Sequence, residues 1–188
     1  RQLDRHNAYH GHPWPWYHRS RSMDEAMKYK ESNSRTAPKV MVRLNSQCHE
    51  GLTDLALQHG RSMNAECVMG LISWLDHQKR CALIRKMLIS QLDEAAVAVL
   101  LAKLPVVTEE PGLASDKIST VLRYTPYIRD RIAEQAKSHE VSVHSMLLTA
   151  LAWWVNVSRQ VNALLEAIVD QGGALQAQLL DQPARSAA

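Results

Sequence analysis

Residues 39–78, KVMVRLNSQCHEGLTDLALQHGRSMNAECVMGLISWLDHQ, restrict the fold more than any other stretch of the chain: they read as one short strand followed by two helices. Val40, Val42 and Leu44 alternate with Lys39, Met41 and Arg43, the period of a strand with one face buried and the other exposed. Cys48, Leu52, Leu55 and Ala56 then fall at helical spacing, and Gly60 supplies the left-handed position that ends a helix. Ser62 is a good N-cap for a second helix, with Glu66 near its positive end and Cys67, Leu71, Trp74 and Leu75 along its apolar stripe. Such a unit is too small to stand alone. The strand needs a partner for its ladder edge, and each helix buries only part of a core.

The run Gly60-Arg61-Ser62-Met63-Asn64-Ala65-Glu66 resembles the link between the two helices of the ribbon-helix-helix domain found in the phage Arc and Mnt repressors. In that family a glycine-arginine-serine-hydrophobic-asparagine run follows the last DNA-reading strand residue by 17 positions, and here the same count leads from Gly60 back to Arg43. The chain departs from the pattern at Gly70, where Arc carries the second arginine of a buried Arg-Glu-Arg triad. An apolar replacement of such a triad is tolerated, so the departure touches the local packing and leaves the expected fold in place.

A second segment follows the same order. Residues 118–124, ISTVLRY, suit a strand, Pro126 suits a helix start, Ile128, Ile132 and Ala136 form an apolar stripe, and Glu140-Val141-Ser142-Val143-His144 stands where the first segment has its glycine turn. Glu140 follows Arg123 by 17 positions, so Arg43 and Arg123, like Ser62 and Ser142, stand 80 positions apart. We read this as an internal, degenerate repeat. The expected fold is mostly helical with a two-stranded antiparallel ribbon, residues 39–44 pairing with 118–124 as an intrachain pseudodimer with added helices. Pairing of each unit with its copy in a second chain is the alternative arrangement.

The resemblance implies a function. A two-stranded ribbon fits the major groove, and Arc and MetJ read DNA in this way. The base-reading positions it implies are Lys39, Met41 and Arg43 in the first copy and Ser119, Val121 and Arg123 in the second. Phosphate binding would fall to the starts of the second helices, Ser62, Met63 and Asn64, then Ser142, Val143 and His144. Because the two strand sets differ, the preferred site should be asymmetric. The bland alternatives are solvated strand charges for the arginines and plain helix capping for the serines.

Around the two units the expected organisation is an arm at residues 1–37, unit 1 at 38–78, a connector at 79–117, unit 2 at 118–156, a C-terminal helix at 157–182 and a disordered tail at 183–188. The arm carries His6, His10, His12 and His18, but among Gly11, Pro13 and Pro15 and without a neighbouring Cys or carboxylate. It reads as a basic, aromatic segment rather than a metal site. The connector is helical, with Asp93-Glu94 restarting the helix before Pro105, Pro111 and Gly112. Residues 145–180 have a roughly heptad rhythm interrupted at Gly172-Gly173, which suits a core or oligomerisation helix. Adjacent Trp153 and Trp154 are expected to divide between the core and an interface.

The net charge of +3 favours an anionic partner without establishing one. Cys48, Cys67 and Cys81 form no metal-ligand spacing and read as reduced, mostly core residues of a cytoplasmic protein, and the resemblance implies a bacterial, phage or plasmid origin. No stretch has the length and apolarity of a membrane span. The absence of a nucleophile elbow, P-loop, HExxH or paired-carboxylate pattern argues against catalysis, and no cofactor is implied. The expected partner is double-stranded DNA, with a transcriptional repressor as the simplest role. Two further roles are a plasmid transfer or partition accessory, because TraY-like conjugation proteins also carry tandem units, and an antitoxin-type module that binds a protein partner.

Overall fold

The computed structural model describes residues 37–108 and 117–180, with side chains as far as residue 172 in the last helix. The arm before Ala37, residues 109–116 of the linker and the tail after Leu180 lie outside the described residues. The elements are β1 (Lys39–Asn45), α1 (Ser46–Gln58), α2 (Met63–Asp76), α3 (Gln78–Ile89), α4 (Glu94–Ala102), β2 (Lys117–Arg123), α5 (Pro126–Ser138) and α6 (Val143–Leu180). The fold is mostly helical around one two-stranded antiparallel sheet, as the pattern of residues predicts.

β1 and β2 belong to the same chain and pair in the register Lys39↔Arg123, Met41↔Val121, Arg43↔Ser119. The ladder edge of β1 is therefore satisfied intramolecularly. Alternation then gives each strand one face. Val42, Leu44 and Leu122 are fully buried against Leu52 of α1, Leu71 of α2, Ile132 of α5 and Leu151 of α6. Each such side chain contributes roughly 2 kcal/mol by leaving water, so the helices hold the ribbon by its inner face.

Both segments use the same local chemistry. Asn45 accepts a hydrogen bond from the Cys48 N–H to cap α1, and Thr125 accepts one from the Ile128 N–H to cap α5, where Pro126 occupies a first-turn position. Each of these helices ends in a left-handed residue, Gly60 at φ 62° and Glu140 at φ 56°. The Arg61 N–H then reaches back to the Ala56 carbonyl at 2.9 Å, and the Val141 N–H to the Ala136 carbonyl at 3.0 Å. These are equivalent bonds of one helix-ending motif, 80 positions apart. Glu140 adopts this conformation despite its Cβ.

The connector restarts where Asp93 caps α4, its carboxylate accepting from the Ala96 N–H at 3.1 Å. The chain returns past Val107, whose N–H donates to Asn156 Oδ1 and whose carbonyl accepts from Asn156 Nδ2, both at 2.9 Å. The expected C-terminal helix is present in α6, which continues through Gly172 and Gly173 where the heptad rhythm breaks, because a glycine lowers helix stability by only about 1 kcal/mol among strong helix formers. The expected boundary at residue 156 thus falls inside one helix. Of the adjacent tryptophans, Trp154 packs against the core and Trp153 lies outside it, half-buried. Trp153 stands edge-on to Trp74 at 5.5 Å, and the Trp154 indole N–H donates to Glu66 Oε1 at 2.8 Å.

Candidate nucleic-acid interface

Strand period and register together decide what the ribbon presents outward. Residues directly opposite one another in an antiparallel pair share a face. The six strand positions singled out from the sequence therefore form three cross-strand pairs on the outer face: Lys39 with Arg123, Met41 with Val121 and Arg43 with Ser119. Met41 and Val121 are 61% and 48% exposed although apolar, at the centre of the strip. Lys39, Arg43 and Ser119 are exposed, and Arg123 is half-buried.

The same face includes Lys117, exposed and opposite Asn45, which the sequence reading missed by starting the strand at Ile118. Counting by twos from Ser119 would have found it. The outer face thus carries Lys39, Arg43, Lys117 and Arg123, and neither strand contains an acidic residue. Arg43 and Arg123 occupy opposite ends, roughly 13 Å apart at the strand rise of about 3.3 Å per residue.

Two helix starts flank the ribbon. Ser62 Oγ accepts from the Ala65 N–H at 3.2 Å, and Ser142 Oγ accepts from the Ser145 N–H at 3.0 Å. The Glu66 and Met146 N–H groups enter the helix ladder by bonding the Ser62 and Ser142 carbonyls. The preceding N–H groups of each first turn, on Met63 and Asn64 and on Val143 and His144, have no acceptor within their helix. They point with the positive end of the dipole toward whatever lies beyond.

The two starts are not alike. Asn64 spends its side chain on the ribbon: its Oδ1 accepts from the Arg123 N–H at 2.7 Å and its Nδ2 donates to the Arg123 carbonyl at 3.1 Å. That amide ties α2 to the edge of β2 and leaves the Asn64 backbone N–H for an anion. Its counterpart His144 is exposed. Ser62, Arg61, Ser142 and Val143 are exposed as well, while Met63 is half-buried.

Behind the first helix start lies a buried carboxylate. Glu66 is fully buried, with the Trp154 indole N–H on Oε1 and with His59 Nδ1 at 3.0 Å and Arg61 Nη1 at 3.4 Å from Oε2. Gly70 makes room for this arrangement. A Cβ there would come within 2.8 Å of the Trp154 ring. The departure at Gly70 is therefore filled by a tryptophan from α6, which takes over a donor's place beside the carboxylate. Nothing local in the sequence signals this contact, because the two residues are 88 positions apart.

Cys48 and Cys67 are core residues, and burial pushes each thiol up to about 12, so they stay protonated and unreactive at neutral pH. Among the described residues no group of histidines, cysteines and carboxylates is placed to hold a metal ion. None of the single helices described is long and apolar enough to cross a membrane.

Residues 34–73 match the family model of the Arc-like DNA binding domain. No curated protein and no solved structure matches the chain. The first strand, α1 and α2 as far as Ser73, with Arg43, Gly60 and Ser62, lie within the matched stretch.

Proposed function

We propose that this protein binds double-stranded DNA in a sequence-specific way by laying the β1–β2 ribbon in the major groove, and that its simplest role is transcriptional repression. The observation that carries the reading is the outer face itself: three opposed pairs, exposed but for a half-buried Arg123, cationic at both ends and apolar at the centre. The family match over residues 34–73 supports the same reading.

In this mechanism Arg43 and Arg123 reach guanine O6 and N7 at the two ends of the strip, with Lys39 and Ser119 beside them. Each good bidentate contact is worth about 1–3 kcal/mol of discrimination. Met41 and Val121 meet thymine methyl groups between them. The N–H groups of Met63 and Asn64, and of Val143 and His144, receive phosphates on either side, which sets register rather than sequence. Ser62 and Ser142 shape these starts by capping. Since Lys39 faces the groove where its counterpart is Ser119, the preferred site is asymmetric. A plasmid-transfer accessory role would use the same contacts on a strongly bent site beside a nicking sequence.

Selection from a random duplex pool, followed by salt titration of wild type and an Arg43→Ala, Arg123→Ala variant, tests this. A short asymmetric motif is expected, with the variant losing preference for it while its salt slope stays similar. An absence of any motif, or identical preferences in both proteins, would contradict the reading.

A further inference from the structure

The ribbon leaves one part of the molecule without a role. α3 contains no buried residue, although its sequence QKRCALIRKMLI is rich in leucine, isoleucine and methionine. It lies against α6, where Ile84 and Val161 line the same crevice of about 230 Å³. Gln78, Ala82 and Arg85 also face α6, lining a cavity with Trp153 and Gln160. At 100° per residue, the turn of α3 that carries Arg85 toward α6 carries Leu83 and Met87 away from it. Leu83 is 58% and Met87 60% exposed. Past Leu164, α6 shows a second stripe of the same kind, Leu165 and Val169, 44% and 70% exposed and one turn apart.

The charges on the two stripes are opposite. α3 carries Lys79, Arg80, Arg85 and Lys86 without a carboxylate, whereas α6 beyond Leu164 carries Glu166 and Asp170 without a cation. None of these six makes an ion pair among the described residues, and Arg85 Nε is buried there without a hydrogen-bond acceptor. Exposed apolar stripes one turn long on two helices, each flanked by unmatched charge of one sign, are the halves of a helix–helix contact.

We propose that these stripes meet between two copies of the chain. In a two-fold dimer, α3 of one protomer crosses the distal half of α6 in its partner, and the same contact forms a second time by symmetry. Leu83 and Met87 pack on the partner stripe formed by positions 165 and 169, and Lys79 and Lys86 face the acidic pair at 166 and 170. Pairing α3 with itself would set cation against cation, so the complement on the same chain decides the occupant. The association needs no DNA and stands apart from the ribbon reading.

Sedimentation velocity of the full chain without DNA, across micromolar concentrations, tests it. Wild type is expected to dimerise. Lys79→Glu with Lys86→Glu, or Glu166→Lys with Asp170→Lys, should each weaken the dimer by at least about tenfold, because like charges then face each other. Combining all four substitutions should restore it to near the wild-type level, and Leu83→Asp should abolish it with helical circular dichroism unchanged. A monomeric wild type, a dimer indifferent to either charge reversal, or a fourfold variant that stays dissociated would overturn the proposal.

Discussion

The first strand–helix–helix segment buries a carboxylate where the second buries a thioether. Glu66 and Met146 occupy equivalent positions, both near the start of a second helix and both removed from water. Around Glu66 stand Arg61, Gly70 and Trp154; around Met146 the equivalents are Val141, Ala150 and Trp74. The two tryptophans differ accordingly. Trp154 donates to the buried carboxylate at 2.8 Å, whereas Trp74 donates to Gln135 Oε1 at 3.0 Å. Two segments of the same strand–helix–helix order thus hold a polar and an apolar solution, in keeping with the tolerance of such sites to apolar replacement. The polar half stakes more on each partner, because a buried charge left short of a donor is expensive.

The largest expected difference appears in alkali. At the positions of Cys48 and Cys67 the second half has Ile128 and Leu147. Burial raises both thiols from 9.0 to about 12, so the unfolded chain ionises first as pH rises. Their contribution is fully present below pH 9 and is lost between 9 and about 12, at about 1.4 kcal/mol per thiol per pH unit. Urea unfolding of wild type and a Cys48→Val, Cys67→Val variant between pH 8 and pH 11 checks this, with the variant expected to show a shallower decline.

Next in size is the pair of tryptophans. Trp154→Phe removes a donor from a buried charge and should cost about 2–3 kcal/mol, whereas Trp74→Phe removes a neutral bond and should cost about 1 kcal/mol. Equal losses by chemical denaturation would mean that the two halves are energetically alike at this position. Smallest is the turn. Glu140→Gly should stabilise by about 1 kcal/mol, since glycine adopts positive φ without strain, and Gly60→Ala should destabilise by a similar amount. Both are read as shifts of the urea midpoint.

What the chain reveals on inspection follows from distance along it. The strand period, the cap at Ser62 and the count of 17 from Arg43 to Gly60 are local, and all lie where the residues place them. The outer face needs a period and a starting point, and Lys117 escaped only because its strand was begun one residue late. Contacts between segments are another matter. Asn64 gripping the Arg123 backbone, and Trp154 filling the space above Gly70, join residues that only the finished fold brings together.

On the proposed reading, a single chain supplies both strands of one DNA-reading face, with Arg43 and Arg123 at opposite ends. The most direct test is to take the site obtained by selection, substitute each base pair in turn, and measure affinities for wild type and for Arg43→Ala and Arg123→Ala separately. The account expects each variant to lose discrimination at its own base pairs, on opposite sides of a central step, with the rest of the profile intact. If both variants relax the same positions, or neither relaxes any, the ribbon does not read DNA in the manner described.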